Sequence, residues 1–573
     1  MGGYEKMEEK KKKGTIVAAV IIGIIVIITA IILVNKFAPS KEVKDLAEYY
    51  NIKENEYLVV VQNEIAEKHA ISIDGEIYVD YDTVAENFNH RFYWDANQNL
   101  LIYTTATEVI KTEVGSKEYY INKSRTETNY QTVKTNGDKV YVALDYIDLF
   151  SNIEYELYEN PNRLVVDCKW GETYTYSDIK KSTQIRVEPS VQSPILKKIE
   201  TDERVVYLEE AQADQKFVKV MSRDGVVGYI QKKTLTESYK EELKSRKKEE
   251  EYSHISKDYT INLTWHQVTN ETANGNLLNL LNNTKGLTTI SPTWFSVSSN
   301  EGELTSLASE EYVKTAHNFG LEVWALVDDF NKDVDMYKVL SNTTNREKLT
   351  NELIAEAIKY SLDGINVDFE NIKEDCGKHY IQFLRELSVK CRNNGIILSV
   401  DSYVPSAYTQ YYDREEQGKI VDYVVVMAYD EHYSGSETSG SVASIGFVSD
   451  AVQNILEQVS PERVIIAMPF YTRVWKEINE NGAVKISSEA YGMESAMSLF
   501  TGNGVTPEWD ESTGQYYGEF KSDNVLYRCW FEDERSIEMK LKAITEGKAA
   551  GVASWKLGLE KEGIWNTILK YVN

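Results

Sequence analysis

Cysteine is scarce, with four in 573 residues. Cys168, Cys376, Cys391 and Cys529 lie far apart, without metal-ligand or Cys-x-x-Cys spacing, which excludes a thiolate metal site and a redox pair of that type. Cys376 and Cys391 are the one pair that could approach across a helix; four free thiols is the plainer reading. Histidine is also rare, and none of the seven stands at ligand spacing, so no metal and no cofactor is implied. His317 and His379 read as helix-face residues, while His69 and His90 are isolated. Positive charge is short too: 63 Lys and Arg against 90 Asp and Glu give a net charge of −27. The first 36 residues hold six lysines and three glutamates, so the acidic excess lies in the body of the chain. Such a body repels phosphate, which argues against nucleic acid as a partner. The rest of the composition is that of ordinary folded protein, and the length calls for several domains.

Thr15 to Val34 contains no charge and is mostly Ile, Val and Ala. About 20 such residues suffice to span a bilayer. Lys10 to Lys13 precede the run directly, so the positive-inside rule puts residues 1–14 in the cytoplasm and makes residues 15–35 a transmembrane helix. The competing reading is a cleavable signal peptide. It would have a shorter apolar core, of roughly 7–15 residues, and a small-x-small site after it. Val34-Asn35-Lys36-Phe37-Ala38 offers none. The expectation is a single-pass cell-membrane protein whose later domains are extracytoplasmic.

Residues 46–172 repeat at an offset of 63: Tyr78-Val79 matches Tyr141-Val142, Asp82 matches Asp145, Asn97 matches Asn160 and Leu101 matches Leu164. Each copy reads as hairpin, short helix, hairpin, with Asp74-Gly75 and Asn136-Gly137 as turn signals. An α+β tandem repeat domain with a shared core is expected. Ile73-Asp74-Gly75-Glu76-Ile77-Tyr78-Val79, followed by Val84-Ala85-Glu86-Asn87-Phe88 and Tyr93-Trp94-Asp95-Ala96-Asn97, resembles the copper amine oxidase N-terminal-like domain; no copper site accompanies it. Residues 180–237 alternate strands and turns. Ile185 to Ser190, Phe217 to Val220 and Gly225 to Ile230 resemble a bacterial SH3 domain, a small SH3-like β-barrel. That resemblance implies contact with cell wall or peptide, with a rigid spacer as the alternative. Residues 238–256 are rich in Lys and Glu and read as a solvated helix or linker.

From residue 257 to 573, strand-like and helix-like segments alternate. The strands expected are Ile261–Trp265, Thr289–Ser296, Leu321–Leu326, Gly364–Glu370, Ile396–Asp401, Tyr423–Tyr429, Val464–Tyr471 and Gly551–Leu557. Eight such units fit a (β/α)8 TIM barrel, with residues 474–530 as an α+β insertion on its rim. In the fourth strand Ile365, Val367 and Phe369 alternate with Asn366, Asp368 and Glu370, a period of two that puts the polar groups on one face. No Lys or Arg lies in that strand to make an ion pair of Asp368 or Glu370. Paired carboxylates at a strand end are a way to hold one acid protonated beside another that is charged. Met427, Tyr429 and Asp430 would stand at the end of strand six, Tyr471 and Arg473 after strand seven, and Trp555 on strand eight. Trp294, Trp324 and Tyr403 could line a binding site or simply pack.

Asp363-x-x-Asn366-x-Asp368-x-Glu370, Met427-x-Tyr429-Asp430 and Trp555 resemble the signatures of glycoside hydrolase family 18, the chitinase-like enzymes. Asn366 departs from the family's motif, which has Asp there; Asn can still hydrogen-bond Asp368. The resemblance implies a substrate-assisted retaining mechanism. Glu370 would be the general acid, and the nucleophile would be the substrate's own 2-acetamido carbonyl. Asp368 would orient that group, Tyr429 would hydrogen-bond it, and Trp555 would floor the sugar pocket. Asn366, Met427, Asp430, Tyr471 and Arg473 would complete substrate binding. The substrate implied is a β-linked N-acetylglucosamine glycan. Peptidoglycan is favoured by the anchor and the SH3-like module, with chitin as the alternative. A non-catalytic sugar-binding protein is the alternative of another class, and Glu370 disfavours it.

Overall fold

The computed structural model describes residues 2–210, 215–248, 250–480 and 483–572. Parts of the small-barrel, linker and insertion segments (211–214, 249 and 481–482) lie outside the described residues. The chain divides into two compact units. The first comprises Met1–Phe92, Thr112–Tyr119 and Thr126–Glu249, and the second Tyr93–Lys111, Tyr120–Arg125 and Glu250–Asn573.

In the first unit, a helix at Gly2–Phe37 contains the stretch Met7–Ile31, long and apolar enough to cross a membrane. A sheet runs in the order Val133–Asn136, Lys139–Ala143, Glu76–Asp80, Ala70–Ile73, Glu56–Val61, Arg163–Asp167, Glu154–Tyr158. Val79 pairs with Val142, its counterpart at the repeat offset, so the two copies meet across a local twofold. A separate antiparallel sheet of seven strands follows, around Ile185, Leu196, Val205, Val218 and Ile230. It is wider than residues 180–237. Thr173–Asp178 belongs to it, and so does Tyr239–Glu242, which pairs with that strand where a solvated helix or linker was expected. The backbone groups of Tyr239–Glu242 find ladder partners there, which outweighs its lack of apolar side chains.

The second unit is a closed parallel barrel. Its strands are β1 (Ile261–His266), β2 (Thr289–Val297), β3 (Glu322–Asp328), β4 (Gly364–Asp368), β5 (Ile397–Tyr403), β6 (Tyr423–Met427), β7 (Val464–Pro469) and β8 (Gly551–Trp555). Each pairs in parallel with the next, and β8 pairs with β1 to close the ring. Inward side chains (Ile261, Leu263, Trp324, Leu326, Ile397, Tyr423, Val425, Ile465) fill the barrel. Outward ones, including Ile365, Val367, Val400 and Val426, pack under the helices. Trp324 stacks on Tyr423 inside the barrel and Trp294 meets Tyr312 edge to face outside it, so both are core residues. At Gly364 an added Cβ would stand 2.7 Å from the Trp324 ring, so only glycine lets β4 approach that indole.

Three expected boundaries shift. β4 ends at Asp368, because the Phe369 carbonyl accepts from Tyr412 and the Glu370 N–H donates to Asp329 instead of continuing the ladder. β6 ends at Met427, before Tyr429. β7 ends at Pro469, and Tyr471 already opens the insertion. That insertion is a five-stranded antiparallel sheet from Tyr471 to Phe531 with the helix Met493–Gly502 packed on it through Ala496 and Phe500.

The tandem-repeat segment does not stay in one unit. Tyr93–Lys111 sorts with the barrel because its polar groups are spent on two barrel helices, Thr343–Tyr360 and Gly377–Asn393. Asp95 accepts from the Thr343 N–H at 2.6 Å, and Gln382 donates to Thr104 at 3.1 Å. Arg346 donates to Tyr93 at 3.1 Å and pairs with Glu386 at 3.1 Å, all buried. His379 is therefore not on an exposed helix face: it meets the Tyr93 hydroxyl at 2.6 Å, and burial lowers its pKa to about 4. All four cysteines are free, Cys376 and Cys391 included; they sit at the two ends of one helix.

Candidate active site

At the C-terminal mouth of the barrel the strand registers bring carboxylates to one level. Asp368 is opposite Asp328, Val367 is opposite Val400, and Tyr403 is opposite Met427. Asp368 is buried, and its Oδ1 has no hydrogen-bond partner among the described residues. Burial pushes its pKa well above the usual carboxylate range, and the charges of Asp401 and Glu370 push the same way. Glu370 stands just past the strand end. Its Oε2 accepts from the Tyr403 hydroxyl at 2.8 Å. Burial raises the pKa of Glu370, and the Tyr403 hydrogen bond opposes that rise without cancelling it.

The backbone under Glu370 is clamped. Asp329, buried after β3, accepts from the N–H groups of Glu370 (3.0 Å) and Asn371 (2.9 Å) and from the Asn371 side chain (3.1 Å). Arg414, also buried, donates to the Tyr403 carbonyl at 3.0 Å and to Ser402 at 2.8 Å, which fixes the end of β5. With both strand ends held, the acid and its phenol partner need no reorganisation to meet.

Asn366 differs from its expected partner. It does not bond Asp368. Its Oδ1 accepts from the Trp265 indole (2.9 Å) and from Ser291 (3.1 Å), and its Nδ2 donates to Ser399 (3.1 Å) and Asp401 (2.8 Å). All the polar capacity of a buried amide is thereby met within the barrel. The first residue of the same motif, Asp363, lies at the opposite end of β4, where it accepts from the Val323 N–H and contacts His317 at 2.9 Å.

Tyr429 follows β6, with its ring 6.2 Å from that of Tyr471; burial raises its pKa well above the ordinary phenol value. The Tyr471 hydroxyl donates to Asp430 at 2.5 Å, and Asp430 takes a left-handed φ of 58° to present that carboxylate. Trp555 ends β8, half-buried, with its ring 5.8 Å from Trp265. Met427 ends β6 among buried neighbours. Arg473 lies in the insertion, where its guanidinium bonds Ser488 at 3.3 Å and none of the carboxylates above. The site therefore joins Glu370, Asp368, Tyr429, Asp430, Tyr471 and Trp555 around one mouth, with Asn366 beneath it and Arg473 near enough for its charge to act on Tyr471.

Three members were not anticipated: Asp329, Asp401 and the clamp Arg414. Asp401 had a readable signal. Ser399 and Asp401 alternate with the apolar Leu398 and Val400 in the sequence, as Asn366, Asp368 and Glu370 alternate with apolar residues one strand earlier. Among the described residues no group of three or more His, Cys, Asp and Glu side chains could hold a metal ion.

Comparison with known proteins agrees with this geometry. The profile of Glycosyl hydrolases family 18 matches residues 259–560, and that of the Copper amine oxidase N-terminal domain matches residues 59–162. The residues of the latter segment do not fit a copper site; His69, for one, is engaged by Glu56 at 3.1 Å. The chain is 28% identical over 285 residues to the uncharacterized glycosylase YvbX of Bacillus subtilis, covering 47% of this chain and 80% of that protein. It is 27% identical over 234 residues to the cortical fragment-lytic enzyme of the same organism, covering 40% of this chain and 54% of the relative. Among solved structures, the C-terminal domain of a chitinase candidate from Desulfitobacterium hafniense superposes with a TM-score of 0.51 at 22% identity, over 55% of this chain and all of that domain.

Proposed function

This chain belongs to glycosyl hydrolase family 18, and on that premise we propose that it cleaves β-linked N-acetylglucosamine glycans of the bacterial cell wall from a membrane anchor. It is a glycoside hydrolase. The observation that carries the finer reading is the pairing of a hydrogen-bonded acid, Glu370, with a buried carboxyl, Asp368, at the barrel mouth. Glu370 protonates the glycosidic oxygen; its raised pKa keeps the proton available. Asp368, protonated at rest, accepts the substrate's acetamido N–H on its carbonyl oxygen and so turns the acetamido oxygen toward the anomeric carbon. Tyr429 donates to the same acetamido oxygen, and Trp555 supplies an apolar floor for the sugar. The acetamido oxygen is then the nucleophile, as in the substrate-assisted exceptions to the two-carboxylate scheme.

Support for a wall substrate comes from the relative named for lysis of cortical fragments and from the first unit. That unit holds a cleft of about 1190 Å³ lined by Tyr155, Trp170, Tyr176, Arg204, Arg223 and Lys240. Aromatic faces and charged groups in one cleft suit a glycopeptide, consistent with an SH3-like wall-contacting role for the adjoining sheet. The apolar helix with lysines before it supports a single-pass anchor, with the barrel outside the cytoplasm.

The test is digestion of purified peptidoglycan and of chitin by the full chain in detergent. New reducing ends at N-acetylglucosamine from peptidoglycan are expected, and Glu370→Gln should lower the rate about 10²–10⁴-fold. Cleavage of chitin alone would move the substrate to chitin. Binding of both without cleavage of either would overturn the hydrolytic reading in favour of a sugar-binding role.

A further inference from the structure

The floor of the mouth holds a carboxylate outside the sequence motif of β4. Asp401 lies on β5, 3% exposed, and shares its inward face with Ser399 and Tyr403. It accepts the Asn366 Nδ2–H at 2.8 Å. The other Asn366 bonds settle which way that amide points. Its Oδ1 faces the Trp265 indole, which can only donate, so the group that meets Asp401 is the NH2. Burial pushes the Asp401 pKa well above the usual carboxylate range, and this fixed donor opposes that rise by favouring the charged form of the acceptor, a help that Asp368 lacks. Asp368 is in the opposite condition, since its buried Oδ1 has no partner among the described residues. A bare charged oxygen there is costly, and a protonated carboxyl costs less. Among the described residues, the charges that act most strongly on Asp368, Asp401 and Glu370 are all carboxylates.

From this geometry we propose that Asp401 is a positioning carboxylate: its charge, held by Asn366, keeps the proton on Asp368 in the resting enzyme. It does so in place of position 366, where an amide stands instead of a carboxylate. Asp401 touches no substrate and acts only through Asp368. The proposal rests on the glycosidase reading for its kinetic consequence, not for its electrostatics. The other groups facing Asp368 do not oppose it. Asp328 and Asp329 from the end of β3 and Glu370 beyond β4 push in the same direction. Around them stand Tyr403, Tyr429, Asp430 and Tyr471, none of them cationic. Burial is the largest cause of the high Asp368 pKa, and Asp401 is the largest contribution from a neighbouring charge.

Replacing Asp401 by a neutral isostere removes that charge, so Asp368 should lose its proton at lower pH. The experiment compares wild type, Asp401→Asn, Asn366→Asp and the double variant, as full chains in detergent. One readout is kcat/KM against pH on an N-acetylglucosamine glycan. The other is the infrared C=O band of protonated carboxyls at pH 7, assigned to Asp368 by its loss in Asp368→Asn. Asp401→Asn should move the alkaline limb down by about one pH unit or more and weaken the band. Adding Asn366→Asp to it should restore both toward wild type. Asn366→Asp alone adds a like charge and should hold the Asp368 carboxyl band to higher pH, which tests the idea even if Asp401→Asn folds poorly. An unchanged limb and band in Asp401→Asn, or a loss of activity that Asn366→Asp does not repair, would overturn the proposal. If the wild type cleaves no glycan, the functional reading fails, and the infrared arm alone decides the role of Asp401.

Discussion

Tyr403→Phe removes the one side-chain hydrogen bond that Glu370 accepts, at 2.8 Å, and leaves the ring in place. Hydrogen bonds to charged groups are worth about 1.5–3 kcal/mol. This bond favours the carboxylate, so it works against burial, which pushes the acid's pKa up. One pKa unit corresponds to about 1.4 kcal/mol, so deletion should raise the pKa of Glu370 by about 1–2 units. The lower end applies, because water reaching a partly open carboxylate replaces some of the lost bond. Glu370 must carry its proton to act as an acid, so activity ends above its pKa. The alkaline limb of kcat/KM should therefore move up by about one pH unit. The same hydroxyl also reaches the Glu370 carbonyl at 3.2 Å, so melting temperature should be followed in parallel. An alkaline limb that stays in place, or that moves to lower pH, with the fold intact, would refute the view that Tyr403 stabilises the charged acid.

Two further outcomes follow from buried charge. The folded-state pKa of Asp368 is raised, so its contribution to stability is full below the unfolded carboxyl pKa and is lost as pH rises toward the folded one. Asp368→Asn should thus be more stable than wild type at pH 7.5, by about 1.4 kcal/mol for each pH unit by which 7.5, or the folded-state pKa if lower, exceeds the unfolded one, and the difference should vanish near pH 4. A constant difference across that range would show that titration of Asp368 is not the cause. Arg346 and Glu386 form a fully buried pair at 3.1 Å; burial raises the pKa of Glu386, and the Arg346 and Lys111 charges with the hydrogen bonds from Gln382 and Arg346 together more than reverse that. Arg346→Ala should cost about 3–5 kcal/mol in denaturant unfolding, and adding Glu386→Gln should recover part of the loss by removing the stranded charge.

How legible the site was differs residue by residue. Glu370 and Asp368 declared themselves through alternation in a strand without cations, and Tyr429, Asp430 and Trp555 through their places at later strand ends. The alternation also set Ile365, Val367 and Phe369 on the face opposite the polar groups, and they pack in the core under the helices. Asp329 and Arg414 were not legible, because each acts on backbone groups of a segment about 40 and 11 residues away, contacts that no local pattern encodes. Tyr93–Lys111 looked like half of a self-contained repeat, yet its hydrogen-bond partners lie more than 200 residues on, in barrel helices.

By itself the sequence determined the barrel, its carboxylate pair and the apolar N-terminal helix, since strand period, strand order and run length are local properties of the chain. Tertiary structure alone decided where Asn366 spends its hydrogen bonds. Side-chain direction is fixed by the strand, but the choice of partner is fixed by parallel register, and register set Asn366 beside Ser399 at the level of Asp401. That one neighbour joins the buried Asp401 to the pair of carboxyls on β4, and the contact between them is a property of packing.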